Sequence, residues 1–129
     1  MIGEKTERFQ GKGKDPAAVQ SHVEEYLKSD GFIVQTSSPS DKGVVIQAKK
    51  GGFLRDVVDA DRALTISIAG SADDLTVHVG IGKWLEHLGV AAIETLLISE
   101  LFLVVDVAES AWSLEIEDKL LKDLRAFIG

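Results

Sequence analysis

Apolar and polar residues alternate most regularly between positions 64 and 79. Leu64, Ile66 and Ile68 are separated by Thr65 and Ser67; Leu75, Val77 and Val79 are separated by Thr76 and His78. A period of two is that of a strand with one face buried and the other polar. Gly70-Ser71-Ala72-Asp73-Asp74 between the runs has the residues of a turn. Two strands are predicted before this pair, over residues 32–37 and 44–49, the latter with Val44, Ile46 and Ala48 on one face. Pro39-Ser40-Asp41-Lys42-Gly43 joins them as a second turn. A further short strand is predicted over residues 5–10, with Gly11-Lys12-Gly13-Lys14 as a flexible connector after it.

The period then changes. Asp15 is a good N-cap, Pro16 suits the first helical position, and Gly31 supplies a stop. Between them Val19, Val23, Tyr26 and Leu27 recur at helical spacing, leaving His22, Glu24, Glu25 and Lys28 toward water. At the other end Leu114, Glu117, Leu120, Leu121, Leu124, Phe127 and Ile128 outline an amphipathic helix. Residues 110–113 read as a break before it, with Ser113 as N-cap. Residues 51–61 are too long for a tight hairpin, and Phe53, Leu54, Val57 and Val58 predict a short helical or looping excursion.

Residues 88–108, LGVAAIETLLISELFLVVDVA, have the length of a membrane span. They also carry Glu94, Glu100 and Asp106. On one straight helix these acids fall at about 0°, 240° and 120°, so no third of the circumference is free of a carboxylate. Insertion of the apolar side chains is worth about 5 kcal/mol, and the acids oppose it by up to about 3 kcal/mol each. No basic flank marks either end, Lys83 and Lys119 being the nearest cations. The run is therefore expected to be a buried helix of a soluble oligomer, or two shorter helices that part near Ser99 and Glu100, in preference to a span. Ala91, Ala92, Thr95 and Ser99 share an arc with Phe102 and Asp106 that permits close helix approach. Trp84 and Trp112 bracket the run as core or interface aromatics. The residues expected at an interface or hydrophobic-ligand site are Trp84, Leu88, Ala92, Thr95, Leu96, Ser99, Phe102, Leu103 and Trp112.

Composition narrows the function classes. Cysteine is absent, which excludes disulfides, thiolate metal sites and cysteine nucleophiles. The N-terminus is polar, so no signal peptide is expected and a cytoplasmic location, with membrane association as the alternative, is the expectation. The formal net charge is −7. Residues 1–62 are balanced, with ten cations and ten acids; residues 63–129 hold four cations and eleven acids. An acidic surface repels phosphate backbones, so no nucleic-acid partner is expected.

Candidate chemistry is sparse. Gly80-Ile81-Gly82-Lys83 lacks the earlier glycine and the following hydroxyl of a phosphate loop, where Val77 and Trp84 stand, and reads as a strand-to-helix junction. Asp56, Asp59 and Asp61 lie beside Arg55 and Arg62 and read as local ion pairs. His22, His78 and His87 show no ligand spacing with a third partner, so no metal and no cofactor is expected. No nucleophile elbow is present, and no catalytic residue is assigned.

Val77-His78-Val79-Gly80-Ile81-Gly82-Lys83-Trp84-Leu85, with Ile46-Gln47-Ala48-Lys49-Lys50 and Arg62-Ala63-Leu64-Thr65, resembles small uncharacterised prokaryotic α+β proteins over residues 15–88. In those the apolar C-terminal segment looks glycine-rich and free of acids, from which Glu94, Glu100 and Asp106 depart. The resemblance implies no activity and no catalytic residue.

The expected architecture is one α+β domain, residues 1–129: an arm or edge strand over 1–14, a helix and sheet over 15–80, and apolar and amphipathic helices over 82–129. The antiparallel sheet has four or five strands covered on one face by helices, in the order β-α-β-β-β-β-α-α. The layout is similar to one half of a TATA-binding-protein-like fold. The expected function is a non-enzymatic binding or assembly module that forms a homo-oligomer through its apolar C-terminal helices. The alternative is a carrier of a lipid-like ligand, or a peripheral membrane protein that uses residues 85–112.

Overall fold

A computed structural model of the chain describes residues 5–38, 43–49, 62–85, 88 and 107–129. Within them lie β1 (Lys5–Gln10), α1 (Pro16–Ser29), β2 (Ile33–Thr36), β3 (Val44–Lys49), β4 (Arg62–Ser71), β5 (Asp74–Lys83) and α2 (Val107–Ile128). The strands form one antiparallel sheet in the order β1-β5-β4-β3-β2. This is the α+β class expected, with five strands. The described elements succeed one another as strand, helix, four strands and helix.

Local chemistry sets the elements. The Asp15 carboxylate accepts from Ala17 N–H at 3.1 Å, with Pro16 in the first turn, so the predicted start of α1 is the observed one. The helix closes where Asp30 N–H donates to Leu27 O and Tyr26 O, and Gly31 follows at φ 90°. β4 and β5 are joined by Ala72 and Asp73 alone, Ser71 already facing Asp74. Gly70 has φ 104°, and a Cβ there would overlap the Asp74 carbonyl oxygen, so this position needs glycine. The glycine-rich connector is tied to the same hairpin tip: Gly11 N–H donates to Asp73 O at 2.6 Å and Gly13 N–H to Ala72 O at 3.1 Å.

α1 and α2 pack on one face of the sheet. Val19, Val23 and Leu27 of α1 and Leu120, Leu121, Leu124 and Ile128 of α2 meet Ile46, Leu64, Ile66, Ile68, Leu75, Val77 and Val79. Arg125 of α2 forms a two-pronged bond to Glu7 of β1, at 2.7 and 3.0 Å. His22 of α1 bonds Asp123 of α2 at 2.5 Å and stacks on Phe127, with ring centroids 4.0 Å apart. His22 is thus part-buried between helices and does not face water. Glu24 is likewise half-buried, accepting from the Thr36 hydroxyl of β2 at 2.5 Å.

Two boundaries differ from the sequence reading. No break separates residues 110–113 from the last helix, because α2 runs unbroken from Val107. Ser-Ala-Trp-Ser contains neither glycine nor proline, and serine costs a helix only a few tenths of a kcal/mol relative to alanine. Nor does Gly80-Ile81-Gly82 end the strand. β5 continues to Lys83 because β4 also extends, placing Thr65 opposite Gly80 and Ala63 opposite Gly82. The excursion over 51–61, the turn over 39–42 and residues 89–106 lie outside the described residues.

Leu124 is fully buried where α2 meets the sheet. Leu124→Ala is expected to lower unfolding free energy by about 2–5 kcal/mol in urea titration. Acid should act through Glu7, whose carboxyl is held below its ordinary range first by the Arg125 hydrogen bond and then by its charge, against opposing desolvation. The folded pKa is the lower one. The stabilisation is therefore present above the unfolded glutamate value and is lost as pH falls through the lowered one. Glu7→Gln should flatten that part of the stability profile, below the ordinary glutamate range.

Candidate functional site

The opposite face of the sheet is not solvated at its centre. Val45, Gln47, Ala63 and Thr65 are fully buried, Ser67 nearly so, and Gly80 and Gly82 are buried beside them. The strict alternation of β4 and β5 predicts an exposed polar face, but short side chains form a low floor here. Gly80 and Gly82 lie opposite Thr65 and Ala63, so along these four positions no side chain is longer than a threonine.

A polar cluster stands at one side of the floor. Gln35 of β2 faces Gln47 of β3 in register. Gln35 Nε2 donates to Gln47 Oε1 at 3.0 Å and to the Leu85 carbonyl at 2.6 Å. Gln47 Oε1 also accepts from Leu85 N–H at 2.9 Å, and Gln47 Nε2 donates to Thr65 Oγ1 at 3.2 Å. The Thr65 hydroxyl donates in turn to Ala63 O at 3.1 Å, which leaves its oxygen to accept from Gln47 and fixes the amide orientation. Two side-chain amides thus give Leu85 the donor and acceptor that a neighbouring strand would give. Amides and a hydroxyl do not titrate near neutral pH, so this cluster can bind and position.

Trp84 is held next to it. Lys49 Nζ lies 4.3 Å from the centroid of the indole, a cation–π contact across the end of β3. Leu88, three residues beyond Leu85, is only 1% exposed. The backbone of Leu85, just beyond β5, is therefore held over the face opposite α1 and α2. The sequence reading placed the long apolar helix on the same face as α1; residues 89–106, which make up most of it, lie outside the described residues. Of the expected site residues, Trp84 and Leu88 are placed here and Trp112 falls within α2; Ala92, Thr95, Leu96, Ser99, Phe102 and Leu103 lie outside the described residues.

At the far side of the sheet the Thr6 hydroxyl is 3.0 Å from His78 Nδ1, and Arg8 forms a two-pronged bond to Asp74 at 2.8 and 2.7 Å. Asp74 is lowered and Arg8 raised, each chiefly by that hydrogen bond. Among the described residues no group of three or more histidines and carboxylates could hold a metal, and no helix is long and apolar enough to cross a membrane.

Sequence reasoning missed Gln35 and Gln47. The available signal was the run Val44-Val45-Ile46-Gln47-Ala48, apolar at consecutive positions as in a strand buried on both faces. A glutamine inside such a run is a buried polar group that requires partners. Gln47→Ala removes the partner of Leu85 N–H and Thr65 together. It is expected to cost about 1–3 kcal/mol and to speed hydrogen exchange at Leu85 selectively.

In comparisons with protein families, curated proteins and solved structures, nothing matches this chain.

Proposed function

We propose that this protein is a non-enzymatic binding or assembly module that self-associates through its apolar C-terminal region. The observation that carries the reading is the anchoring of Leu85 by Gln35 and Gln47 at the head of the most apolar stretch of the chain. This part-buried hydrogen-bonded cluster holds Leu85 at the start of that stretch. The last turns of α2 are not available for association, since Leu120, Leu121, Leu124 and Ile128 are spent in the core. The binding element is therefore assigned to residues 84–112, which include Trp84, Leu96, Phe102, Leu103 and Trp112. Residues 88–108 alone hold twelve leucine, isoleucine, valine and phenylalanine side chains. Each large aliphatic left in water forfeits about 1.5–3 kcal/mol relative to burial. Two-fold association is the commonest way of covering such a surface.

Light scattering and native mass spectrometry of the full chain test this. The expected result is a dimer or larger closed assembly at tens of micromolar, weakened by Leu96→Glu with Leu103→Glu. A strict monomer without bound lipid defeats the proposal. A co-purified apolar ligand, or flotation with liposomes, replaces it with the carrier or peripheral-membrane reading.

A further inference from the structure

The two edges of the sheet differ. β1, at one edge, is Lys-Thr-Glu-Arg-Phe-Gln, with Glu7 and Arg8 engaged by Arg125 and Asp74. β2, at the other, is Ile-Val-Gln-Thr and has neither charge nor proline. Edge strands are commonly protected by charge, proline or a covering element, because their free backbone groups pair readily with another strand. Ile33 is 60% exposed, the only large hydrophobic exposed among the described residues.

The backbone pattern fixes which groups β2 offers. Ser37 N–H donates to Val45 O, toward β3. Backbone direction alternates along a strand, so Ile33 and Gln35 also point to β3, while Val34 and Thr36 point outward. Among the described residues nothing pairs with the outward backbone groups of Val34 and Thr36. Phe32 also points outward, but its N–H is taken by Leu27 O at 3.0 Å.

We infer that the β2 edge is a second self-association surface, whose occupant is β2 of another copy in antiparallel pairing. The register follows from the donors left unpaired among the described residues. A two-fold axis at Val34 would need Phe32 N–H, which the end of α1 already holds. An axis at Gln35 sets Val34 of one copy opposite Thr36 of the other and uses all four outward backbone groups of each strand. An uncharged strand meets its own copy without like-charge apposition, and Ile33 falls beside Ser37 across the axis. Two-fold pairing of β2 with β2 uses each copy's edge once and leaves the charged β1 edges outermost, so the sheet does not grow further through this contact. The contact is read from β2 alone and does not depend on the assignment made to residues 84–112.

Hydrogen exchange of the full chain, followed by NMR with the mass measured in parallel, reads the contact directly. Val34 and Thr36 amides are expected to exchange about tenfold or more slowly at hundreds of micromolar than after dilution, because they open only from the free fraction. Ile33→Lys, at an exposed position that leaves the fold intact, should abolish that protection; Ile33→Val should keep it. The protection should persist in the Leu96→Glu, Leu103→Glu variant, which separates this contact from association through the apolar stretch. Fast exchange at every concentration overturns the inference. So does protection that neither dilution nor Ile33→Lys changes.

Discussion

Gln47 must satisfy its amide where water does not reach, and the arrangement of the second face follows from that requirement. An unbonded buried amide costs several kcal/mol. Gln47 avoids this by joining Gln35, Thr65 and the backbone of Leu85 in one network. The network couples three elements that local propensity would leave independent. It holds β2 in register, because a slip by one residue would carry Gln35 to the helix-covered face. It also holds the backbone of Leu85, just beyond β5, over the second face. That placement is a consequence of hydrogen bonding, since Trp84 and Leu85 are apolar enough to suit either side.

The opposite face is held by packing, with charge selecting the orientation. Leu120, Leu121 and Leu124 are buried against α1 and the sheet and attach the C-terminal half of α2. The Arg125–Glu7 pair and the His22–Asp123 pair stand around that apolar seam. Part-exposed pairs of this kind are worth about 1 kcal/mol or less, too little to hold a helix alone. They do discriminate between rotations of α2 about its axis, because only one rotation brings Asp123 to His22 and Arg125 to Glu7 together. Phe127 adds a ring sandwiched between the His22 imidazole and Lys14, whose ammonium lies 4.6 Å from its centroid.

How far the sequence reveals this protein depends on whether a residue's partners are near in the chain. α1 was legible from Asp15, Pro16 and the spacing of Val19, Val23 and Leu27, all of which act within a few turns. The strand pair at 64–79 was legible from its period, and the order of elements predicted the sheet. The length of β5 was not, since whether Gly80 and Gly82 stay in the strand is decided by Ala63 and Thr65 on its neighbour. The continuity of α2 through Ser110 and Ser113 was missed because a capping residue type is only permissive of a helix start. Burial of Thr65 and Ser67 was missed for a related reason. Alternation states which residues share a face, and cannot state whether that face meets water. Of the candidate site, Trp84 and Leu88 were named from hydrophobicity, whereas Gln35 and Gln47 acquire their role only when β2 and β3 pair.

The same topology bears on the order in which the structure can assemble. β2, β3, β4 and β5 are consecutive in both chain and sheet, so their pairing requires comparatively short closures. β1 must cross to the far side of β5, and Arg8 meets Asp74 from 66 residues away. α2 then returns over both, with Glu7 and Arg125 118 residues apart. Closure entropy rises only slowly with loop length, but contacts of high separation still delay folding because nothing offsets them until both partners are placed. The central strands are therefore the natural nucleus, and β1 and α2 the natural last additions. Until α2 docks, the Leu64, Ile66 and Ile68 face lacks the cover of Leu120, Leu121 and Leu124, and until Leu85 reaches Gln47 the two amides keep only their bonds to each other and to Thr65. Among the described residues, both faces gain contacts from residues C-terminal to β5, Leu85 on one and α2 on the other, so the last third of this chain takes part in finishing the fold as well as holding its most apolar stretch.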